Sequence, residues 1–123
     1  MYFLDTHIVV WLYQNPRKLL SEKEIKAINE NTVHISPVVL LELEYLFEIK
    51  RINKKPDVIL NYLKDKIGLE YDNIELLEIT QIAAHEKWTR DPFDRLIVAH
   101  CKIRNAFLIS KDKQIKKHYL KTL

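Results

Sequence analysis

Five acidic residues occupy positions from which their carboxylates could gather around a metal ion. Asp5 directly follows the apolar segment YFL, Asp112 closes LISKD, Asp91 and Asp94 flank PF in RDPFDR, and Glu42 closes SPVVLLE. Several carboxylates converging at one place repel each other, so they stay ionised together only with a compensating cation. Hard oxygen ligands suit Mg²⁺ or Mn²⁺. Such an ion can activate water and neutralise a phosphate oxygen, which is the chemistry of phosphodiester hydrolysis.

The same residue types also suit helix capping, and the sequence alone leaves both interpretations open. Aspartate is a common N-cap, which is the simpler reading of Asp5 or Asp112 taken singly. In RDPFDR, Asp91 would be the N-cap, Pro92 the first helical residue, and Asp94 would face the positive end of the helix. Which reading holds depends on where the other acids lie.

Glu42 and Asp94 are harder to explain as ordinary surface acids, because both lie on apolar faces of predicted helices. A carboxylate is rarely buried unless it is paired. A functional or paired role is therefore favoured for both residues. Their helical neighbours three and four positions away include Val38, Val39, Tyr45 and Leu46 for Glu42, and Ile97 and Val98 for Asp94.

Predicted strands alternate with predicted helices along the chain. Strands are predicted at 2–4, 33–35, 75–79 and 106–109. Helices are predicted at 6–13, from the Ser21 capping box, from Ser36-Pro37 to about Arg51, at 56–67, from Thr80 to 87 or 88, at 91–104, and after Asp112. This order predicts an α/β sandwich with a parallel sheet. Ligands of such folds bind beyond the carboxyl ends of the strands, where Asp5 and Asp112 fall.

Composition predicts one ordered domain and excludes several classes of site. The chain has 123 residues, 47% hydrophobic and 30% charged, which is too apolar for disorder. Gly68 is the only glycine, so glycine-rich phosphate loops and dinucleotide fingerprints are absent. Cys101 is the only cysteine, which excludes an internal disulfide and a cysteine-based zinc site, and its apolar helical pattern predicts burial.

The distribution of charge and the N-terminal segment bear on partners and location. The net charge is +3, but residues 102–121 carry seven Lys or Arg and one acid, which suits a polyanion or an ordinary solvated surface. No apolar run approaches the ~20 residues of a membrane span. The start, MYFLDTHIVVWLYQ, lacks a basic n-region, so no signal peptide and a cytoplasmic location are expected.

Four segments together resemble a known family. LDTH at 4–7, SPVVLLE at 36–42, RDPFDRLIVAH at 90–100 and LISKD at 108–112 resemble the PIN-domain ribonucleases, most closely the VapC-type toxins of bacterial and archaeal toxin–antitoxin pairs. The resemblance spans nearly the whole chain, and DPFDR with its following helix is its most specific part. It implies a single PIN-like domain over 1–123, a three-layer α/β/α sandwich with a central, mainly parallel sheet.

The resemblance also implies roles for particular residues. The family places three or four acids around one or two Mg²⁺ or Mn²⁺ ions. Carried over by motif, the catalytic and metal-binding residues are Asp5, Glu42, Asp94 and Asp112. Asp91 matches a capping and supporting position, and Thr6 and Ser110 match small hydroxyls that orient a carboxylate or a water. Candidates for contacting the RNA backbone are Arg95, Lys111, Lys113, Lys116 and Lys117.

His7 departs from the asparagine that many family members carry after the threonine, and a non-catalytic role is favoured for it. His100 is expected to be structural. Trp11 is expected in the core or a subunit interface, as are Tyr13 and Trp88. Two other classes of protein with an aspartate after the first strand fit this chain less well. Haloacid-dehalogenase-like phosphatases need a second aspartate where His7 stands, and response-regulator receivers need an acidic pair after the first strand, which is absent.

The resemblance implies an RNA substrate, a cognate antitoxin that covers the acidic pocket, and a homodimer, with no membrane partner. The expected activity is metal-dependent endoribonuclease cleavage by activated water. Two alternatives stay open: a nuclease of RNA processing or decay that is not a toxin, and a scaffold that binds RNA or protein without cutting.

Overall fold

A parallel four-stranded sheet forms the centre of the computed structural model, which describes residues 1–123. The strands are β1 (Tyr2–Leu4), β2 (Val33–Ile35), β3 (Glu70–Tyr71) and β4 (Phe107–Ile109), in the order β3-β2-β1-β4. In register, Tyr2 pairs with Val33 on one side and with Phe107 on the other. β1 therefore lies inside the sheet, which fits its apolar sequence.

Eight helices surround the sheet. They are α1 (Thr6–Gln14), α2 (Pro16–Leu19), α3 (Glu22–Glu30), α4 (Val38–Glu48), α5 (Pro56–Ile67), α6 (Leu76–Ala83), α7 (Pro92–Arg104) and α8 (Lys113–His118). Helices α1, α4 and α5 contact one another, and α6 packs along α7. The predicted α/β sandwich with its parallel sheet is confirmed. None of the helices has both the length and the apolar character needed to cross a membrane.

Three of the signals that begin or end helices act as the sequence predicts. At the start of α3, Ser21 Oγ accepts from the Glu24 N–H at 3.1 Å and Glu24 Oε1 accepts from the Ser21 N–H at 2.8 Å, which is a full capping box. Asp91 caps α7, since its Oδ1 accepts from the Phe93 N–H at 2.8 Å. Gly68 ends α5 with a φ of 70°, a left-handed conformation that favours glycine.

The prediction of a strand at 75–79 and of a helix capped by Thr80 was wrong. Leu76 to Thr80 lie in one helix, α6, which ends at Ala83 rather than at 87 or 88, and the Thr80 hydroxyl donates to the Leu76 carbonyl at 2.6 Å. A short apolar run suits a strand or a helix equally, and here Ile79 and Ala83, one turn apart, face the core. The missed strand, β3, is two exposed residues long and has no hydrophobic signature.

Helix α4 is shorter at both ends than predicted. It begins at Val38, after Pro37, and Ser36 Oγ accepts only a long bond of 3.4 Å from the Val38 N–H. It ends at Glu48 rather than near Arg51, because Lys50 adopts a positive φ of 63°. The Arg51 N–H then bonds back to the Leu46 carbonyl at 2.8 Å, which closes the last turn.

The main core is a cluster of 25 buried hydrophobic residues that includes Cys101, so the prediction of a buried cysteine is confirmed. His100 is also fully buried, and its ring lies 4.8 Å from that of Phe3. His100 Nε2 lies 2.8 Å from Asp72 Oδ2, which also accepts from Arg104 Nε at 2.6 Å. This network ties α7 to the segment after β3, a structural role that agrees with the prediction for His100.

Candidate active site

The first acid of the site stands where β1 and β4 end side by side. The Asp5 N–H extends the ladder by donating to the Ile109 carbonyl at 3.0 Å. Asp5 is buried and caps α1, with its Oδ1 accepting from the Thr6 N–H at 2.8 Å and its Oδ2 accepting from the Ser110 hydroxyl at 2.6 Å. Both oxygens are therefore oriented by residues just beyond two adjacent strands, Thr6 at the start of α1 and Ser110 after the end of β4.

Glu42 reaches this edge from the second turn of α4. Its side chain is buried, and its Oε1 accepts from the Thr6 hydroxyl at 2.5 Å. Thr6 and Ser110 thus each orient one acid, Glu42 and Asp5 respectively, as donors that hold a carboxylate in one rotamer.

The two acids of RDPFDR have different positions, because Asp91 caps the start of α7 and Asp94 lies one turn further on. Asp91 is exposed, and the same Oδ1 that caps the Phe93 N–H also lies 3.3 Å from the Asp94 N. Asp94 is half-buried in the first turn of α7, and its own carboxylate makes no hydrogen bond to another protein group within the chain. The cap therefore holds the helix start that presents Asp94 to the cavity.

Asp112 comes from the loop after β4. Its N–H donates to the Ser110 hydroxyl at 3.0 Å, so Ser110 bridges Asp5 and Asp112. Its Oδ1 caps α8 by accepting from the N–H groups of Gln114 and Ile115 at 2.8 and 3.0 Å. Asp5, Asp91 and Asp112 each cap a helix and also line one cavity. Capping a helix therefore does not exclude a position in the cavity wall.

The five acids share a cavity of about 310 Å³. Its walls are Asp5, His7, Trp11, Glu42, Asp91, Asp94, Lys111 and Asp112. His7 is exposed, and its ring centroid lies 6.2 Å from that of Trp11, one turn further along α1. Trp11 packs against the core, as expected, but also forms part of this wall, which the sequence interpretation missed. The available signal was its spacing of four residues from His7.

Burial and mutual repulsion make this cavity a poor place for unpaired negative charge. Burial, followed by the charges of Asp91, Asp5, Asp112 and Glu42, raises the pKa of Asp94 to about 8. Burial also raises the pKa of Asp5 and of Glu42 above the ordinary range, against the hydrogen bonds from Ser110 and Thr6. The cavity therefore favours a cation or a proton among these carboxylates.

The donor set fits a hard divalent cation. It consists of carboxylate oxygens, which Mg²⁺ and Mn²⁺ prefer. No three of these side chains stand close enough to form a complete ligand cluster as they are. Mg²⁺ usually keeps several waters and uses one or two carboxylates directly, so an open ring of acids suits it. Asp5, Glu42, Asp94 and Asp112 could hold such an ion directly or through water.

The predicted RNA-contacting residues lie in three different places. Lys111 lines the acid cavity, whereas Lys113, Lys116 and Lys117 are exposed on α8 and do not. Arg95 is partly buried, and its Nε donates to the Thr89 carbonyl at 2.8 Å, which ties it to the loop before α7. A larger cavity of about 490 Å³ lies beside β3 and α5, but the five acids that converge on the smaller cavity make that one the candidate active site.

Comparison with known proteins agrees with this fold. VapBC2 from Rickettsia felis bound to a promoter DNA fragment shares the fold with a TM-score of 0.66 and 22% sequence identity, over 94% of this chain and 91% of that chain. A toxin–antitoxin complex from Klebsiella pneumoniae has a TM-score of 0.65 and 15% identity, over 100% of this chain and 96% of that chain. DNA-bound VapBC from Salmonella typhimurium has a TM-score of 0.61 and 22% identity, over 94% of this chain and 89% of that chain. No curated protein matches the chain significantly. The PIN domain model matches residues 2–120, and the chain therefore belongs to the PIN-domain family.

Proposed function

We propose that this protein is a Mg²⁺- or Mn²⁺-dependent endoribonuclease and the toxin of a VapBC-type toxin–antitoxin pair. The observation that carries the proposal is the gathering of five carboxylates in one cavity at the carboxyl edge of the sheet. Burial and four neighbouring acids raise the pKa of Asp94 to about 8, so the cluster has to recruit a cation to be fully ionised at neutral pH.

The residues of the chain have distinct parts in this chemistry. A divalent cation bound here supplies an activated water and neutralises charge on the phosphate. Asp5 and Asp94 are the leading candidates to hold the ion, with Glu42 and Asp112 completing the set. The Thr6 and Ser110 hydroxyls keep the carboxylates of Glu42 and Asp5 oriented, so that little reorganisation is needed when the ion and the substrate arrive.

The basic C-terminal region supports RNA as the substrate. Lys111 stands in the cavity wall, and Lys113, Lys116 and Lys117 project from the adjacent helix α8. Such cations attract a phosphate backbone without reading its bases, and the binding weakens as salt rises. Single-stranded or looped RNA is the favoured form, because its backbone is accessible to a cavity of this size.

The toxin assignment adds two protein partners. Known VapBC structures share the fold, and we propose a cognate antitoxin whose segment covers the acid cavity.

We also propose a homodimer through the apolar surface of α4 and α6. Leu41, Leu76 and Leu77 are 62%, 73% and 68% exposed there, beside an apolar cavity of about 350 Å³. An exposed apolar surface of this kind suits a second protein surface.

The decisive test is RNA cleavage by the pure protein with Mg²⁺ or Mn²⁺, then with chelator, compared with Asp94→Asn. We expect cleavage only in wild-type protein with metal. Asp65→Asn, an exposed aspartate on α5, is the matched control and should cut normally. Cleavage that survives both chelator and Asp94→Asn would overturn the metal mechanism. Binding without cleavage would favour the scaffold, and a gene without a neighbouring antitoxin would favour RNA processing or decay.

A further inference from the structure

Glu24 is a buried acid that lies outside the acid cavity. It stands in the first turn of α3, and only 5% of its side chain is exposed. Its Oε1 accepts from the Ser21 N–H at 2.8 Å and lies 3.0 Å from Lys111 Nζ. Burial opposes its ionisation, but the Ser21 and Lys111 contacts outweigh burial and hold the pKa of Glu24 below its usual range. A capping box alone does not require a lysine partner from a distant loop.

Lys111 is the partner, and it is the only lysine or arginine among the residues that line the acid cavity. Its side chain is 38% exposed, and its ammonium group contacts Glu24. A lysine head is a compact charge with three donors on a flexible stem, and one contact to Glu24 leaves donors for another ligand.

The position of Glu24 determines what Lys111 can do. Without a partner outside the cavity, the lysine would be free to turn toward the carboxylates of Asp5 or Asp112, or outward into solvent. Glu24 holds the ammonium within 3.0 Å of its own carboxylate, while Lys111 forms part of the wall of the acid cavity. A phosphate that approaches the acids would then meet a cation already in place, with little side-chain entropy left to lose.

We infer that Glu24 is a positioning residue that holds Lys111 at the wall of the acid cavity to bind a phosphate group of the RNA substrate. This inference rests on the proposed ribonuclease function and adds a residue that touches neither metal nor substrate. It predicts an effect on substrate binding rather than on the chemical step, and an effect that disappears when Lys111 is absent.

The test is a double-mutant cycle of Glu24→Gln and Lys111→Ala. Glutamine keeps an oxygen that can accept from the Ser21 N–H, so α3 stays capped. Each single variant should raise KM about tenfold, the loss expected for one charge-assisted hydrogen bond, and should change kcat less than about twofold. Adding Glu24→Gln to Lys111→Ala should have no further effect on KM.

A second measurement does not depend on cleavage. Binding of a short fluorescein-labelled single-stranded RNA is followed by anisotropy in chelator at several salt concentrations. Each single variant should reduce the slope of log affinity against log salt by about 0.7, the value for one lost phosphate contact on a single strand. Lys26→Ala, an exposed lysine of α3 outside the cavity lining, removes the same charge and should change neither KM nor this slope.

Ser21→Ala separates positioning from helix stability. It removes the hydroxyl that accepts from the Glu24 N–H but leaves the Glu24–Lys111 pair, so it should lower stability and leave KM unchanged. The inference is overturned if Ser21→Ala raises KM as much as Glu24→Gln does, if Glu24→Gln still acts in the Lys111→Ala background, or if both single variants bind RNA normally. Wild-type protein that neither binds nor cuts RNA would instead overturn the proposed function.

Discussion

Replacing Asp94 by asparagine should stabilise the metal-free protein while abolishing cleavage. The asparagine has nearly the same shape as the carboxylate that it replaces, so the fold should be kept. What it removes is a half-buried acid surrounded by Asp91, Asp5, Asp112 and Glu42, whose pKa burial and these neighbours raise to about 8. If removal of the Asp94 carboxylate raises stability but destroys activity, that carboxylate contributes to function at a cost in stability.

The size of the expected gain in stability follows from the raised pKa of Asp94. The unfolded chain releases the Asp94 proton near pH 3.8 and the folded chain near pH 8, so the unfolded state is favoured progressively between these values. About 4 pH units at about 1.4 kcal/mol each set an upper limit near 6 kcal/mol. Asp94 is only half-buried, and solvent screening reduces the expected gain of Asp94→Asn to on the order of 2 kcal/mol at about pH 8.

The assay is urea unfolding of both proteins in chelator from about pH 4 to about pH 8, and again with Mg²⁺. The stability advantage of Asp94→Asn should widen as pH rises through this range and then stay constant. Mg²⁺ at about ten times its dissociation constant should stabilise wild-type protein by about 1.4 kcal/mol and the variant less. If Asp94→Asn were less stable than wild type in chelator at about pH 8, the repulsive carboxylate cluster would be refuted.

Three further predictions concern neighbouring features. Ser110→Ala removes the donor to Asp5 and the acceptor for the Asp112 N–H, so metal affinity or cleavage should fall about 10–100-fold; unchanged metal binding by calorimetry would contradict this. Burial lowers the pKa of His100, so the unfolded chain takes up a proton first below about pH 6.5; the stability advantage of wild type over His100→Asn should therefore narrow from about pH 7 to about pH 5 in urea unfolding. Burial raises the pKa of the Cys101 thiol far above neutrality, so Ellman's reagent should label it only after unfolding, and rapid labelling of the folded protein would contradict its placement.

The residues that could be assigned from sequence are those whose structure depends on near neighbours. Asp91 caps α7 through N–H groups two and three residues ahead, and Gly68 ends α5 by its own conformation. The placement of Asp5 after β1 needed one further assumption, the parallel sheet, which the alternation of elements supplied. Glu42 could be singled out because an acid on an apolar helix face needs a partner.

The features that escaped the sequence depend on distant contacts. The short strand β3 exists because β2 offers it a partner, not because Glu70 and Tyr71 favour a strand. The run after Glu75 is apolar enough for either a strand or a helix, and packing against α7 decides for the helix. The Glu24–Lys111 pair joins a capping box to a loop far along the chain, and no sequence signal near either residue predicts it.

The hydrogen bond from Ser110 to Asp5 also bears on how activity is acquired during folding. It joins residues 105 positions apart, just beyond the ends of neighbouring strands that come from opposite parts of the sequence. Contacts of such separation require closure of a long loop, and chains rich in them fold slowly. The acid cavity is therefore assembled only when β4 has docked beside β1. Partly folded chains should be inert, so hydrolytic capacity should appear in one cooperative step with the native sheet.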